Sequence, residues 1–386
     1  MRLHIGSARF PAVLGFALAI GLGWPAVCRT QAVEVNPPGA LTPEELVRIA
    51  RQYAKTRLAE GAPATASQST APLADPANPP ETDQEMLKRV QRYLTLGNFK
   101  ALEREIHEAR DAKLRFPGGV WKLAVFYDAV NAPVSGDLSG DAGYQAHIER
   151  LKRWAEAYPE SATAKIALAD TYIAYADLAR GTGYANTVTE EGWRLHGERT
   201  AMAASILADA AKMKEKDPYW YYVMGQVARG QGWDKQLESA LLDAGMAFEP
   251  GFYHLYRLHT IFLLPKWYGE PGEAEAFADA ISNHVGGKQG KFVYFEIASI
   301  LTCQCDSDES DIENLSWPKI KEGYAAMQEM YGVSRMKTNR YAHMAYLAGD
   351  KAVAAEIFAR IGKDWEPSVW HTPAKYGVAA TWAGQK

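Results

Sequence analysis

The chain has 386 residues, of which 47% are hydrophobic and 23% are charged, and its formal net charge is −4. This composition is ordinary for a globular protein and provides enough apolar side chains for a sizeable core. A mildly acidic protein repels phosphate backbones, and the sequence contains no dense basic stripe, so nucleic acid is excluded as the expected partner.

The first 32 residues have the three-part layout of a secretory signal peptide. Basic side chains precede an apolar run at 12–24 (AVLGFALAIGLGW), and small residues follow up to Ala32, with cleavage after Ala32 or after Cys28 both compatible with the pattern. At about 1.5 Å per residue this run covers only about two-thirds of a ~30 Å hydrocarbon core. We therefore expect a periplasmic or secreted protein with no membrane span once residues 1–32 are removed. Acylation of Cys28 is a minor alternative, since the residues before it fit a lipoprotein signal poorly, and an uncleaved anchor is less favoured still.

A short helical segment and a linker follow the leader. Within residues 33–60, Thr42 and Glu45 have the spacing of a capping box, and apolar residues then repeat with a helical period. Residues 61–81 are rich in Pro, Ala, Ser and Thr and contain few large apolar side chains, so they predict a flexible linker. The remaining residues, 82–386, are predicted to form one helical repeat domain.

Most of this domain reads as helix after helix, broken by Gly or Pro at intervals of roughly 15 residues, which suits antiparallel helix pairs. The best match to the tetratricopeptide pattern of 34 residues lies at 218–250, with Gly225 at the position where two helices approach closely. Partial matches lie at 96–109 and 349–361. These observations predict an all-α fold, an irregular α/α superhelix of tetratricopeptide-like helix pairs, with an irregular helical bundle as the alternative. A stripe of the 218–250 unit is predicted to be buried: Trp220, Val223, Met224 and Val227.

A long helical insertion interrupts the repeats at 181–214. Gly181 and Gly183 break the chain, and Thr187 and Glu190 have the spacing of a second capping box. A helix is predicted from there to about Met213, longer than the helices of a standard repeat.

Two stretches are unlike ordinary tetratricopeptide repeats. They are 179–195 (ARGTGYANTVTEEGWRL) and 264–277 (LPKWYGEPGEAEAF). Through them, residues 120–350 resemble a bacterial family of tetratricopeptide-like helical-repeat proteins that is known only as a domain of unknown function. The resemblance implies an α-helical superhelix, but it implies neither an activity nor catalytic residues.

Each stretch contains a tryptophan that is open to two interpretations. Trp193 and Trp267 are candidate aromatic contacts for a small molecule or glycan. The alternative is structural: Trp267 packs at the junction between neighbouring repeats, and Trp193 is buried at the start of a capped helix.

The sequence lacks the common catalytic motifs. The sequence contains no nucleophile elbow, no zinc-binding HExxH and no phosphate loop. The segment 303–313 combines Cys303 and Cys305 with acidic residues, but it lacks the glycine and final acid of a calcium loop, so a solvated loop with reduced or loosely paired thiols is favoured. We therefore predict a non-catalytic protein without a cofactor or metal, although an acid/base pair on helices would leave no motif.

Binding is the function that the architecture favours, because the first helix of each repeat lines a groove. With Gly225 at the eighth position of its repeat, the register places five residues in that groove. They are Tyr219, Tyr222, Gln226, Arg229 and, in the next unit, His254. Tyr and Arg are prominent in interface energetics. The sequence thus predicts an exported scaffold for a protein or peptide partner. The alternatives are packing of these tyrosines between helices, a small-molecule or glycan binder, and an enzyme.

Overall fold

The computed structural model describes residues 37–59, 81–131, 139–183, 185–303 and 312–385. These residues form seventeen α-helices and two short 3₁₀ turns, and they contain no strand, so the predicted all-α class is confirmed. The predicted signal peptide, the linker up to residue 80 and positions 304–311 of the acidic segment lie outside the described residues.

The helices follow one another closely along the chain. In the N-terminal half they are α1 (Pro43–Ala59), α2 (Asp83–Thr95), α3 (Phe99–Asp111), α4 (Lys122–Asn131), α5 (Gly140–Ala157), α6 (Ala162–Arg180), α7 (Glu190–Ala210) and α8 (Tyr219–Gln231). In the C-terminal half they are α9 (Lys235–Phe248), α10 (His254–Phe262), α11 (Glu273–Val285), α12 (Gly287–Leu301), α13 (Trp317–Tyr331), α14 (Arg335–Leu347), α15 (Lys351–Ile361), α16 (Pro367–Trp370) and α17 (Pro373–Trp382).

Side-chain caps mark many of the helix starts. The predicted capping box of α1 is present: the backbone N–H of Glu45 donates to Thr42 Oγ1 over 3.3 Å, and that of Thr42 donates to Glu45 Oε2 over 2.9 Å. Asp234 caps α9 by accepting from two backbone N–H groups. Such caps satisfy donors that the first turn of a helix leaves unpaired.

The predicted capping box of α7 is wrong. Thr189 is the cap, accepting from the backbone N–H of Gly192 over 3.0 Å, whereas Thr187 lies in the preceding 3₁₀ turn. Glu190 is already the first helical residue, so the residue directly before it performs the capping. The helix ends at Ala210, three residues before the predicted Met213.

The repeat unit predicted at 218–250 is the helix pair α8–α9. Its predicted stripe is fully buried. A Cβ atom on Gly225 would lie 2.6 Å from Leu258 Cδ2, so α8 and α10 approach as closely as the repeat pattern predicted.

Six helices that begin successive pairs pack against one another in the order α4, α6, α8, α10, α12 and α14. We call them the inner helices, and the surface they share the inner face. The second helices of the pairs pack beside them, as in α8 with α9 and α12 with α13. This arrangement fits the predicted superhelix.

Helix α1 packs on this body, mainly against α9. The ring of Tyr53 stacks on Trp220, with centroids 4.7 Å apart, and its hydroxyl accepts from the backbone N–H of Asp217 over 2.7 Å. One aromatic residue therefore joins α1 to the turn before α8.

The turn at 117–119 ties the start of the inner helices to their end. Gly118 donates its N–H to the carbonyl of Gly332 over 3.3 Å, and a Cβ there would lie 2.7 Å from Ser334 Oγ. Gly118 also has a φ of +79°, a conformation that favours glycine. The segment leading into α4 thus contacts the segment leading into α14.

Candidate functional site

Polar side chains converge on the inner face, although most of its surroundings are apolar. They form two groups, centred on two residues of α6 that lie ten residues apart, Asp170 and Arg180. We call the first group, around Asp170, the acid–tyrosine cluster, and the second, around Arg180, the Arg–Trp cluster.

Asp170 is the centre of the acid–tyrosine cluster. Its Oδ1 accepts from Gln226 Nε2 over 2.8 Å, and its Oδ2 accepts from the hydroxyl of Tyr219 over 3.1 Å and from the amide of Asn131. Burial raises the pKa of Asp170 to about 7, and the negative charges of Asp128 and of a second acid on α6 add to the rise. The hydrogen bonds from Gln226 and Tyr219 oppose it.

Asp170 differs from the other buried acids of the described residues, because no Lys, Arg or His lies within 4 Å of it. Each of the other five has such a partner. The five are Glu103, Asp217, Glu238, Glu249 and Glu296. Buried charges in proteins are normally paired, and an unpaired one raises the free energy of the folded state.

Asp128 lies on α4 beside this cluster and is exposed on the inner face. Confinement between the inner helices raises its pKa to about 6, and the positive charge of Arg257 on α10 opposes the rise. Since water reaches Asp128, it screens part of this effect, and Asp170 is the more strongly perturbed of the two carboxyl groups.

The predicted groove residues of α8 differ in burial: one lies beneath the inner face, and the others are partly exposed on it. Tyr219 is buried and stacks on Tyr127 with centroids 3.9 Å apart, so it lies beneath the inner face. Tyr222 is half-buried, and burial raises its pKa to about 12, with the charges of Asp170 and Asp128 contributing. Gln226 is also half-buried, and its amide reaches Asp170.

His254, from the first turn of α10, lies next to Tyr222, with ring centroids 6.3 Å apart. Its Nδ1 has no hydrogen-bond partner among the described residues. Burial, followed by the positive charges of Arg257, Lys337 and Arg115, lowers the pKa of His254 well below 6.5, so the imidazole is neutral.

Farther along the inner face, Glu296 on α12 is fully buried and pairs with two cations. Arg257 Nη1 lies 3.4 Å from its Oε2, and Lys337 Nζ contacts its Oε1. Burial lowers the pKa of Lys337 to about 8 although Glu296 opposes this. The negative charge of Glu296 is therefore balanced by cations of the protein itself, in contrast to that of Asp170.

The Arg–Trp cluster lies where α6 and α8 end. The guanidinium carbon of Arg180 lies 5.5 Å from the ring centroid of Trp193 and 6.0 Å from that of Trp267. The guanidinium carbon of Arg229 lies 5.1 Å from the centroid of Trp267. All four side chains are partly exposed. Three predicted binding residues that are distant in sequence therefore lie close together around Arg180: Trp193, Arg229 and Trp267.

No family model, curated protein or solved structure matches this chain. The geometry of the two clusters is therefore the basis for assigning a function.

Charged side chains also line an open cleft of about 320 Å³ between α9, α10 and α11. Here His259 Nδ1 lies 2.5 Å from Glu238 Oε2, and Lys235 Nζ lies 2.7 Å from Glu273 Oε2. Since each of these four side chains already has a partner from the protein, this cleft offers less to a ligand than the inner face does.

None of the helices in the described part of the chain is long and apolar enough to cross a membrane. The same residues contain no group of three or more potential metal ligands.

The sequence reasoning did not single out Asp128, Asp170 or the role of Arg180. A signal for the acids is visible in retrospect: Asp128 is the only acid in the apolar helix α4, and Asp170 interrupts a run of apolar residues in α6. An acid on an apolar helix face indicates a buried contact, but its partners come from other helices and are not readable from spacing.

Proposed function

We propose that the protein is an exported helical-repeat scaffold that binds a protein or peptide partner along its inner face. In this proposal Asp170 and Asp128 receive a positively charged group of the partner. The observation that supports it is that Asp170, alone among the buried acids of the described residues, has no Lys, Arg or His within 4 Å.

The electrostatics favour a cation as the group that completes the site. Three neutral donors hold the carboxylate of Asp170, and Asp128 adds a second negative charge beside it. A lysine or arginine side chain would offset both charges, and charge-assisted hydrogen bonds are stronger than neutral ones.

The dimensions of the inner face favour an extended chain over a compact ligand. From Asp170 to Arg180, helix α6 rises about 15 Å, at about 1.5 Å per residue. An extended peptide spans this distance with about five residues, at about 3.3 Å each. A peptide of this length would contact the half-buried Tyr222 and Gln226 between the two clusters.

Selection of peptides from a random display library tests the proposal directly. The wild-type protein is expected to enrich sequences with a lysine or arginine, and Asp170→Asn to lose that enrichment. Arg194→Gln is the matched control, because Arg194 pairs with Glu191 and Glu198 on the surface of α7. Enrichment of sequences without basic residues, or equal enrichment by Asp170→Asn, would contradict the proposal.

Export is part of the proposal and rests on the leader at residues 1–32. Mass spectrometry of the protein from its native cell should find a mature chain that begins after Ala32. Finding instead a cytoplasmic chain that retains its leader would contradict the proposed export.

An acid/base enzyme is the second candidate. The observation that favours it is the pair of carboxyl groups with pKa values near neutral, Asp170 at about 7 and Asp128 at about 6, with neutral His254 on a neighbouring inner helix. Perturbed groups of this kind gather at catalytic sites. If a selected peptide is chemically altered on incubation with the wild-type protein but not with Asp170→Asn, the enzyme is preferred to the scaffold.

A further inference from the structure

The two stretches that set this sequence apart from ordinary tetratricopeptide repeats meet at one place. Residues 179–195 supply Arg180 and Trp193, and residues 264–277 supply Trp267, whose ring lies beside both Arg180 and Arg229. Nothing in the packing of a standard repeat requires such a convergence, because each repeat contacts mainly its neighbours.

Local backbone structure fixes the position of Trp267. The N–H of Trp267 donates to the carbonyl of Leu264 over 2.8 Å, and the hydroxyl of Tyr268 donates to the carbonyl of Arg229 over 2.8 Å. A Cβ on Gly269 would lie 1.7 Å from the carbonyl oxygen of Leu263, so only glycine permits this tight turn. The backbone at Trp267 is thus held against the end of α8 through its neighbour Tyr268.

The position of Trp193 is equally fixed. It lies in the first turn of α7, which Thr189 caps, and a Cβ on Gly192 would lie 2.8 Å from the carbonyl oxygen of Ala179. The start of α7 therefore packs directly on the end of α6, next to Arg180. Rigid placement of this kind is what a binding site needs, because it lowers the ordering cost on association.

The two guanidinium groups lack an anionic partner within the described part of the chain. No carboxylate there lies within 4 Å of Arg180 or Arg229; the nearest acid along α6, Asp177, lies 3.8 Å from His196. The contacts from Arg180 Nη1 to the carbonyls of Gly181 and Gly183 are long, at 3.3 and 3.4 Å.

Like charges also act on each other here. Burial lowers the pKa of Arg180, the positive charge of Arg229 lowers it further, and Asp177 opposes them. Both arginines lie in the last turn of a helix, where the helix dipole favours a positive charge, but that effect is modest and confined to the terminal turn.

We propose that the Arg–Trp cluster is a carboxylate-binding site, which receives the C-terminal carboxylate or an acidic side chain of the bound chain. The tryptophan rings lie within cation–π range of the two guanidinium groups, and a planar guanidinium forms the paired N–H···O bonds that suit a carboxylate. Nearby Asp177 favours a carboxylate group, which carries a single charge, over a doubly charged phosphate group. The inference deepens the proposed function, and its probe is independent of Asp170.

A simple titration tests the site without knowledge of the natural partner. The full sequence has eleven tryptophans, and one of them, Trp24, lies in the leader, so the mature protein labelled with ¹⁵N-tryptophan has ten indole signals. Trp193→Phe and Trp267→Phe identify the two that matter. Glutarate is added at constant ionic strength, with its neutral diamide glutaramide and inorganic phosphate as separate arms. Glutarate is expected to shift the signals of Trp193 and Trp267, glutaramide to leave them unchanged, and phosphate to bind more weakly.

Variants of the arginines separate binding from general ionic effects. Arg229→Gln and Arg180→Gln should each weaken glutarate binding by about tenfold or more, because each removes a charge-assisted contact. Arg229→Lys keeps the charge but loses the planar fork, so it should also weaken binding, and it provides a second test if the glutamine variants fold poorly. Arg194→Gln is the control and should bind glutarate as the wild type does.

Several outcomes would overturn the inference. They are unshifted signals of Trp193 and Trp267, an equal response to glutaramide, tighter binding of phosphate, and an equal loss in Arg194→Gln. If the glutarate response is absent while basic peptides are still selected through Asp170, this inference fails and the proposed function stands. If glutarate binds but Asp170 selects no basic peptides, the carboxylate site stands and the proposed scaffold function fails.

Discussion

Replacing Asp170 with asparagine should stabilise the protein at alkaline pH while abolishing recognition of basic peptides. The folded chain holds the proton of Asp170 up to a pH of about 7, whereas the unfolded chain releases it near the ordinary pKa of 3.8. The folded state therefore binds more protons in this interval, and the contribution of Asp170 to the free energy of unfolding falls as the pH rises through it.

The magnitude follows from the width of that interval. One pH unit corresponds to about 1.4 kcal/mol, so ionisation of Asp170 lowers the free energy of unfolding by about 4 kcal/mol at pH 8. Asparagine removes this penalty. It also disturbs at least one of the three hydrogen bonds, since Gln226 donates to Oδ1 and both Tyr219 and Asn131 donate to Oδ2, at a cost of about 1 kcal/mol. The net gain at pH 8 is about 3 kcal/mol, and at pH 4 the variant is no more stable than the wild type.

Urea unfolding of both proteins between pH 4 and pH 8 measures this difference. Asp209→Asn is the control, because Asp209 pairs with Lys212 on the exposed side of α7 and should change stability little at either pH. A difference between Asp170→Asn and the wild type that stays constant with pH would refute the reasoning. Destabilisation by Asp170→Asn at pH 8 would refute it as well.

Further predictions concern the elements that shape the two clusters. In urea unfolding, Gly269→Ala should lower the free energy of unfolding by at least about 3 kcal/mol, because its Cβ would clash with a backbone carbonyl. Gly377→Ala in α17 is the control: its Cβ would contact nothing, so it should raise the free energy of unfolding by about 0.5–1 kcal/mol. Equal effects of the two variants would contradict the geometry of the turn at Gly269. Tyr53→Phe should cost about 1–2 kcal/mol in the same assay through the lost hydrogen bond that anchors α1, and an unchanged midpoint would mean that this anchor is weak. Lys337→Met should lower the free energy of unfolding by about 3 kcal/mol, because it leaves Glu296 with one cation. Adding Glu296→Gln should restore most of this stability. A double variant as unstable as Lys337→Met would show that packing, not charge, is responsible.

Local rules predicted the helical architecture of this protein well. The capping box at Thr42 and the close approach at Gly225 each depend on residues a few positions apart or on one repeat pattern, and both are present. The sequence predicts the cap of α7 two residues too early, because Thr187 and Thr189 both offer a hydroxyl, and spacing alone does not say which of them precedes the first helical turn.

The candidate site was only partly predictable, because it depends on contacts between distant segments. The repeat register placed Tyr222, Gln226 and Arg229 on the inner face, where they are half-buried. It did not separate Tyr219, which packs beneath that face on Tyr127. No sequence period reveals that Asp170 lacks a counter-charge, since that property depends on every helix around it.

The contact between the 117–119 turn and the start of α14 affects how the protein withstands mechanical load. In an open array each repeat contacts only its neighbours, so repeats detach one after another when the ends are pulled. Here Gly118 is bonded to Gly332, more than two hundred residues away in the chain. The segment before α4 is therefore held to the segment before α14, and this contact must break before the two ends of the array can separate. Inserting a helix pair between them would also require this contact to be rebuilt, a constraint that open arrays do not face.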